Sequence, residues 1–160
     1  MAQQHLISIC ICTYRRPAVV EAIASLGQLS VPDNCTLEIV VADNDIKQSA
    51  KDRVDQAGAE LSIPVNYVHA PKQNISVARN ACLDHARGDW VAFIDDDETV
   101  SSKWMDALFE AVNERQLDIA FGPVWARYPE GTEEWLIDAD FHSTRCPDSG
   151  ELVTGYSGNS

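Results

Sequence analysis

Four consecutive acids, Asp95, Asp96, Asp97 and Glu98, follow the apolar run Val91-Ala92-Phe93-Ile94. Adjacent carboxylates repel one another, so clustering them where an apolar run ends calls for a cation. A divalent metal carrying a phosphorylated ligand is the economical partner, because hard cations take carboxylate oxygens and leave positions for phosphate. Asp95 and Asp97 are close enough to serve one metal and a sugar hydroxyl together. The competing expectation is a solvated acidic turn. A second polar cluster, Asp43-Asn44-Asp45, ends another apolar run. Asp43 suits a hydrogen bond from a base or ribose, and equally a helix cap or turn former. A third cluster, Thr13-Tyr14-Arg15-Arg16, ends a further apolar run. Arg79 lies near a helix start beside Asn80, where a guanidinium and a helix N-terminus together make an anion site. The alternative there is a surface arginine paired with Asp84. No glycine-rich phosphate loop of either common type is present.

The elements that must position these groups are readable from periodicity. Leu6 to Cys12, Leu37 to Ala42, Pro64 to His69 and the run before Asp95 are short, apolar and rich in branched side chains, as buried strands are. Leu117 to Trp125 is a further strand-like segment, interrupted by Gly122-Pro123. Between the strands run helical patterns. One has Pro17 in its first turn, carries Val19, Ile23 and Leu26, and extends to about Leu29. The next is capped by Ser49 and runs to Glu60. A third spans Ile75 to Arg87, with Gly88 as its C-cap. The last is capped by Ser101 or Ser102, with Trp104, Met105, Leu108, Phe109 and Val112 inward. Alternating strands and helices imply a mostly parallel sheet with helices on both faces. All three polar clusters then fall at strand C-termini, which in such a sheet form one ligand-binding edge. Residues 1–128 are expected to form this α/β domain, and residues 129–160 a loop-rich region.

Composition narrows the function. The chain has 160 residues, 45% hydrophobic and 23% charged, and is globular in type. A net charge of −13 argues against nucleic-acid binding and against a polybasic membrane patch. Five scattered cysteines lack metal-ligand spacing and suggest a reducing cytoplasm. Nothing at the N-terminus reads as a signal peptide, and no apolar run is long enough to span a bilayer.

Taken in order, SICICTYRRP, IVVADND, NISVARN and FIDDDE resemble the nucleotide-sugar half of a family 2 glycosyltransferase with the A-type fold. The stretch ADFHSTRCPDSGELVTGYSGN resembles the rhizobial succinoglycan glucosyltransferases, which move glucose from UDP-glucose to a lipid-diphosphate-linked oligosaccharide. The resemblance implies that Thr13, Tyr14 and Arg16 line a uridine pocket. Asp43 would bond the uracil with Asn44 or Asp45 nearby, and Arg79 would border the nucleotide. Asp95-Asp96-Asp97 matches the Asp-x-Asp signature. Within it Asp97 is the implied Mg²⁺ or Mn²⁺ ligand, and Asp95 the contact to ribose or donor sugar, with a share in the metal. Asp96 belongs to the same nucleotide-sugar site. The implied reaction inverts the anomeric centre, and the lipid-linked acceptor implies work at the inner face of the plasma membrane, with peripheral contact.

The general base of such enzymes is a carboxylate well downstream of the Asp-x-Asp. No residue matches it here. His142, Asp138 and Asp140 are the right kinds of group, but nothing in the sequence places them. The resemblance therefore reads the chain as stopping in mid-domain at Ser160, and predicts a fragment that binds UDP-sugar weakly and turns over poorly. Two other classes compete. A non-catalytic donor-binding fragment is one. The other is a haloacid-dehalogenase-like phosphatase, in which Asp95 would be the nucleophile and Asp97 the acid/base. That motif belongs on the first strand of its fold, whereas three strand units precede it here. A signalling receiver is excluded by the lack of a strand ending in lysine.

Overall fold

A computed structural model of the chain describes residues 3–146. Four strands and five helices are present among them. They are β1 (His5–Thr13), α1 (Val19–Leu26), β2 (Cys35–Asp43), α2 (Lys51–Ala59), β3 (Val65–His69), α3 (Ile75–His85), β4 (Trp90–Asp95), α4 (Trp104–Arg115) and α5 (Glu134–Ala139). Two compact units are distinguished, Met1–Phe109 and one beginning at Glu110, so the division falls within α4. The stretch from residue 147 onward, which carries much of the resemblance to the succinoglycan enzymes, lies outside the described residues.

The sheet has the order β3-β2-β1-β4, and every pairing is parallel. Right-handed crossovers dictate where the helices go. The chain moves one way from β1 through β2 to β3, which sets α1 and α2 on one face. It then crosses back to β4, which sets α3 on the other. Side-chain alternation agrees. Cys10, Val40, Ala42 and Val68 form one buried cluster with Ala78 and Cys82 of α3, and Cys12 packs against it. Ile9, Ile11, Ile39 and Val41 point the opposite way and are fully buried, as are Val19, Ile23 and Leu26 of α1 and Val54 of α2. Burying each such side chain contributes about 1.5–3 kcal/mol. Cys10 and Cys82 thus serve as small core residues, with free thiols. Contact with Cys10 pushes the Cys82 thiol up to about 12, which keeps it inert.

Several boundaries differ from the sequence reading. The helix after Pro17 is short: α1 begins at Val19 and ends at Leu26, with Gly27 as C-cap. Ser49 does not cap α2; Ala50 holds that position and contributes no side-chain cap. Its N–H is bonded instead by the carboxylate of Asp43 at 2.9 Å. Gly88 is not the cap of α3, which ends at Ala86 in an extended conformation. Glycine is needed there for close approach: a Cβ would lie 2.7 Å from both the Leu6 carbonyl and the Ser8 nitrogen. No strand forms from Leu117 to Trp125. Pro123 lacks a ladder donor, and among the described residues the pairing is limited to one antiparallel bridge between Val124 and Thr144. The loop-rich stretch contains α5, around the apolar Trp135-Leu136-Ile137.

The turn into β4 is fastened by a buried carboxylate that the sequence reading passed over. Glu38, in mid-β2, is 3% exposed. It accepts from Ser8 Oγ at 2.7 Å, from the Arg87 backbone N–H at 2.7 Å, and from Arg87 Nε and Nη2 at 2.9 and 2.5 Å. Burial pushes its pKa up, but the Ser8 and Arg87 donors outweigh burial and hold it below the usual value.

Candidate nucleotide-sugar site

Register brings the predicted clusters to one edge. Thr13 pairs with Asp43, Asp43 with His69, and Cys12 with Asp95, so all four strands end level. The helix starts and loops that follow them carry the remaining candidates.

The four acids divide into two inward and two outward. Asp96 is 6% exposed and its Oδ2 accepts from the hydroxyl of Thr13, itself buried, at 2.7 Å. Burial pushes the Asp96 carboxyl above its usual pKa, against the Thr13 bond and the nearby Arg16 charge. Glu98 turns back: its Oε2 accepts from the Asp95 N–H at 3.1 Å, and the Glu98 N–H donates to the Asp95 carbonyl at 3.1 Å. Its carboxyl is likewise raised by burial. Asp95 and Asp97 remain half exposed, at 47% and 53% of their side chains. This division relieves the crowding, because two of the four charges are drawn into hydrogen bonds on the protein side.

Two guanidiniums face the acids. Arg79 Nη2 lies 4.0 Å from Asp95 Oδ1. Its helix, α3, is started by Asn74, whose Oδ1 accepts from the N–H of Ser76 and Val77 at 2.9 and 3.4 Å. Arg79 is thereby presented from the second turn of a capped helix. Arg16 reaches the acids: its Nη1 pairs with Asp97 Oδ2 and stands 3.5 Å from Asp96 Oδ1.

The end of β2 builds the neighbouring wall. Asp43 is fully buried. Its Oδ1 accepts from the Asp45 N–H at 3.0 Å, and its Oδ2 from the Ala50 N–H at 2.9 Å and the Tyr67 hydroxyl at 2.8 Å. It therefore acts here as the turn former its position also allowed, with three acceptor positions filled by the protein. Burial, then the bond to Asp43, pushes the Tyr67 hydroxyl upward. Asn44 is a latch. Its N–H donates to Thr13 O at 2.8 Å, its carbonyl accepts from Gln73 N–H at 3.3 Å, and its Oδ1 accepts from Asn74 N–H at 3.1 Å. Asp45 accepts from Arg15 Nη2 at 2.9 Å, and this bond holds its carboxyl down at about 2. His69 Nε2 lies 2.9 Å from the Asp45 carbonyl and must carry the proton to bond it.

Tyr14 stands at the rim, 41% exposed, with the Arg15 guanidinium 5.0 Å from its ring centre and Gln73 Nε2 donating to its hydroxyl at 3.2 Å. Arg15 and Gln73 both adopt left-handed backbone, with φ of 58° and 48°. Such residues are uncommon outside glycine and gather at functional sites. Gln73, Asn74 and Tyr67 were missed by sequence reasoning as site residues, and Arg15 and Glu98 were named in their clusters without a role. Arg15 lay inside a cluster already singled out, but a positive φ at a non-glycine residue leaves no sequence signal.

The donor set fits a hard divalent ion. Asp95 and Asp97 offer outward carboxylate oxygens. Among the described residues, no group of three or more His, Cys, Asp or Glu side chains stands together to hold a metal. An ion would therefore complete its shell from phosphate oxygens and water, as Mg²⁺ and Mn²⁺ do beside one or two carboxylates.

A chain with this parallel sheet, acids at the end of its fourth strand and a guanidinium on the preceding helix has the A-type α/β fold of nucleotide-diphospho-sugar transferases. Residues 8–157 match the family described as glycosyl transferase family 2, and the chain belongs to that family. It is 44% identical over 154 residues to the succinoglycan biosynthesis protein ExoM of Rhizobium meliloti, covering 96% of this chain and 50% of that protein. It is 30% identical over 114 residues to the GalNAc(5)-diNAcBac-PP-undecaprenol beta-1,3-glucosyltransferase of Campylobacter jejuni, covering 68% of this chain and 35% of that one. The chain thus spans about half or less of the length of these relatives. Among solved structures, the Pyrobaculum calidifontis mannosyltransferase PcManGT, in complex with GDP-Man and Mn²⁺, superposes with a TM-score of 0.60 at 22% identity. The match covers 80% of this chain and 37% of that one. TarS 1-349 of S. aureus with UDP-GlcNAc gives 0.55 at 21% identity, over 69% and 32%. At such identities the likeness shows the shared fold. No helix of the described residues is long and apolar enough to cross a membrane.

Proposed function

We propose that this chain is the donor-binding part of a glycosyltransferase of exopolysaccharide assembly. The donor is UDP-glucose, used with Mg²⁺ or Mn²⁺, and the acceptor a lipid-diphosphate-linked saccharide met at the cytoplasmic face of the membrane. The observation that carries this reading is the pair of outward carboxylates at the C-terminal edge of a parallel sheet, Asp95 beside Arg79 and Asp97 beside Arg16. A diphosphate needs such a mixture of anion-binding and metal-binding groups, and a sugar ring needs a carboxylate for its hydroxyls. The names of the relatives support the substrate classes.

In this reading Tyr14 and Gln73 border the base, with Asp43, Asn44 and Asp45 shaping the wall behind it. Arg79 binds the diphosphate. Asp95 orients the ribose or the sugar, and Asp97 holds the ion. A bound ion would supply charge neutralisation to the departing diphosphate. The protein's own part is to align the anomeric carbon and to keep the diphosphate in place while an acceptor hydroxyl attacks from the opposite side. Of the three candidate bases, Asp140 is unsuited. It accepts from Ser143 Oγ at 2.6 Å and Tyr128 Oη at 3.1 Å, and the Ser143 bond first of all holds its carboxyl below the usual range. We assign the base to none of Asp138, Asp140 and His142.

Isothermal titration with UDP tests the donor site. Binding should tighten with Mn²⁺, fall back with a chelator, and weaken by roughly tenfold or more in Asp97→Asn when Mn²⁺ is present, the loss of one charge-assisted ligand. Equal UDP affinity with and without metal, or in Asp97→Asn, would overturn it.

A further inference from the structure

We propose that Arg16 is a built-in counter-cation for Asp97. It occupies the carboxylate until a nucleoside diphosphate draws the guanidinium away, so that cation and nucleotide bind together rather than the cation alone. This rests on the donor-site reading of Asp97 given above.

Arg16 follows a backbone turn in which Arg15 has φ 58°, and that turn sends it across the end of β1 towards the acids. Its Nη1 meets Asp97 Oδ2, and Asp96 Oδ1 lies 3.5 Å away. The two acids differ in freedom. Asp96 is buried and tied to Thr13, whereas Asp97 is 53% exposed. Arg16 is itself 55% exposed. The contact is therefore a movable one on a fixed base. Arg79 stands farther from its own acid, at 4.0 Å from Asp95, and leaves that carboxylate open.

Competition follows from chemistry. A hard cation competes for the Asp97 Oδ2 that Arg16 uses, and the positive guanidinium seated there repels it. A diphosphate offers the guanidinium an equivalent seat, because its oxygens match the planar fork as well as a carboxylate does. Binding the diphosphate thus releases Asp97 for the cation. By linkage, the cation must raise nucleotide affinity by the same factor. An exposed ion pair is worth up to about fivefold, and the repulsion between guanidinium and cation adds to that.

The test is Mn²⁺ binding itself, followed by the electron paramagnetic resonance signal of the free ion, with and without UDP. Without nucleotide, Arg16→Gln and Arg16→Met should bind Mn²⁺ roughly tenfold more tightly than wild type. Arg16→Lys keeps the charge and should stay near wild type. The factor by which UDP enhances Mn²⁺ binding should shrink in Arg16→Gln. Asp97→Asn should erase the difference between arginine and glutamine at position 16. Thermal melts confirm folding, which a half-exposed side chain leaves intact. If UDP enhances Mn²⁺ binding in wild type but neither neutral variant binds the free ion more tightly, this inference alone falls. If UDP fails to enhance Mn²⁺ binding in wild type, the donor-site reading falls and takes the inference with it.

Discussion

Single residues at the strand ends carry opposite electrostatic burdens. Asp96 is raised by burial, so the fold disfavours its charged form. Asp45 is lowered to about 2, chiefly by its bond with Arg15. A carboxyl with a folded pKa below its unfolded value of about 3.9 stabilises the fold above that value. The contribution is lost as pH falls from about 4 towards about 2. Arg15→Met should therefore melt below wild type at neutral pH, and the gap should close as the pH is lowered through that window. A gap that stays constant would show that Arg15 acts through packing rather than charge. None of this was readable at the level of single letters. The sequence marked Thr13, Tyr14, Arg16 and Asp43 as members of a site, because polar residues at apolar strand ends are conspicuous. It could not show that Thr13 turns to Asp96, that Arg16 turns to Asp97, or that Asp43 has its donors already supplied by a turn and by Tyr67. Those directions depend on backbone angles and on partners about 25 to 85 residues away, which a local pattern does not contain.

At the scale of elements, the four strands and the helices between them were legible because a parallel sheet with helices on both faces writes its strands as short apolar runs. Burial holds for β1 and β2, whereas the run before Asp95, expected to be buried, leaves Val91 and Phe93 of β4 exposed. Where the reading failed, two structures shared one sequence signal. Gly88 after a helix suggests a C-cap, but the same residue is demanded by a β1 backbone that passes too near for a Cβ. Leu117 to Trp125 is apolar enough for a strand, yet a strand exists only with a partner, and among the described residues pairing there is limited to Val124 with Thr144. The two explanations of Gly88 differ in consequence. A glycine cap with ordinary φ tolerates alanine at a cost of a few tenths of a kcal/mol. A backbone clash at 2.7 Å does not, because neither the Leu6 carbonyl nor the Ser8 nitrogen can retreat without opening the β1–β4 ladder. Gly88→Ala should therefore cost about 2 kcal/mol or more in urea unfolding, in the range of overpacked cores. Asn74→Ala, which removes a cap, should cost about 1 kcal/mol and loosen the helix that presents Arg79. Should Gly88→Ala prove as mild as a lost cap, the close approach would be the wrong explanation.

The whole molecule carries a net charge of −13, and the ligand proposed for it is also an anion. Two opposing fields act on a nucleoside diphosphate as it approaches. At long range the acidic chain repels it; at contact Arg79 and Arg16 attract it. Salt separates the two, because screening acts on charges farther apart than the Debye length. That length falls from about 30 Å at about 10 mM salt to about 8 Å at about 150 mM. Contacts of a few ångströms lie inside it at both concentrations and are only partly screened. The general repulsion, spread over a domain tens of ångströms across, is largely removed. With no divalent ion present, UDP should therefore bind more tightly at the higher salt. Mn²⁺ alone should behave the other way, since the same field attracts a cation and salt weakens it. Titrations of each ligand at the two salt concentrations would give slopes of opposite sign. Matching negative slopes would mean that UDP is held mainly by an extended positive surface. A parallel sheet whose acids gather at one edge does not offer such a surface, and the donor would then have to bind elsewhere on the chain.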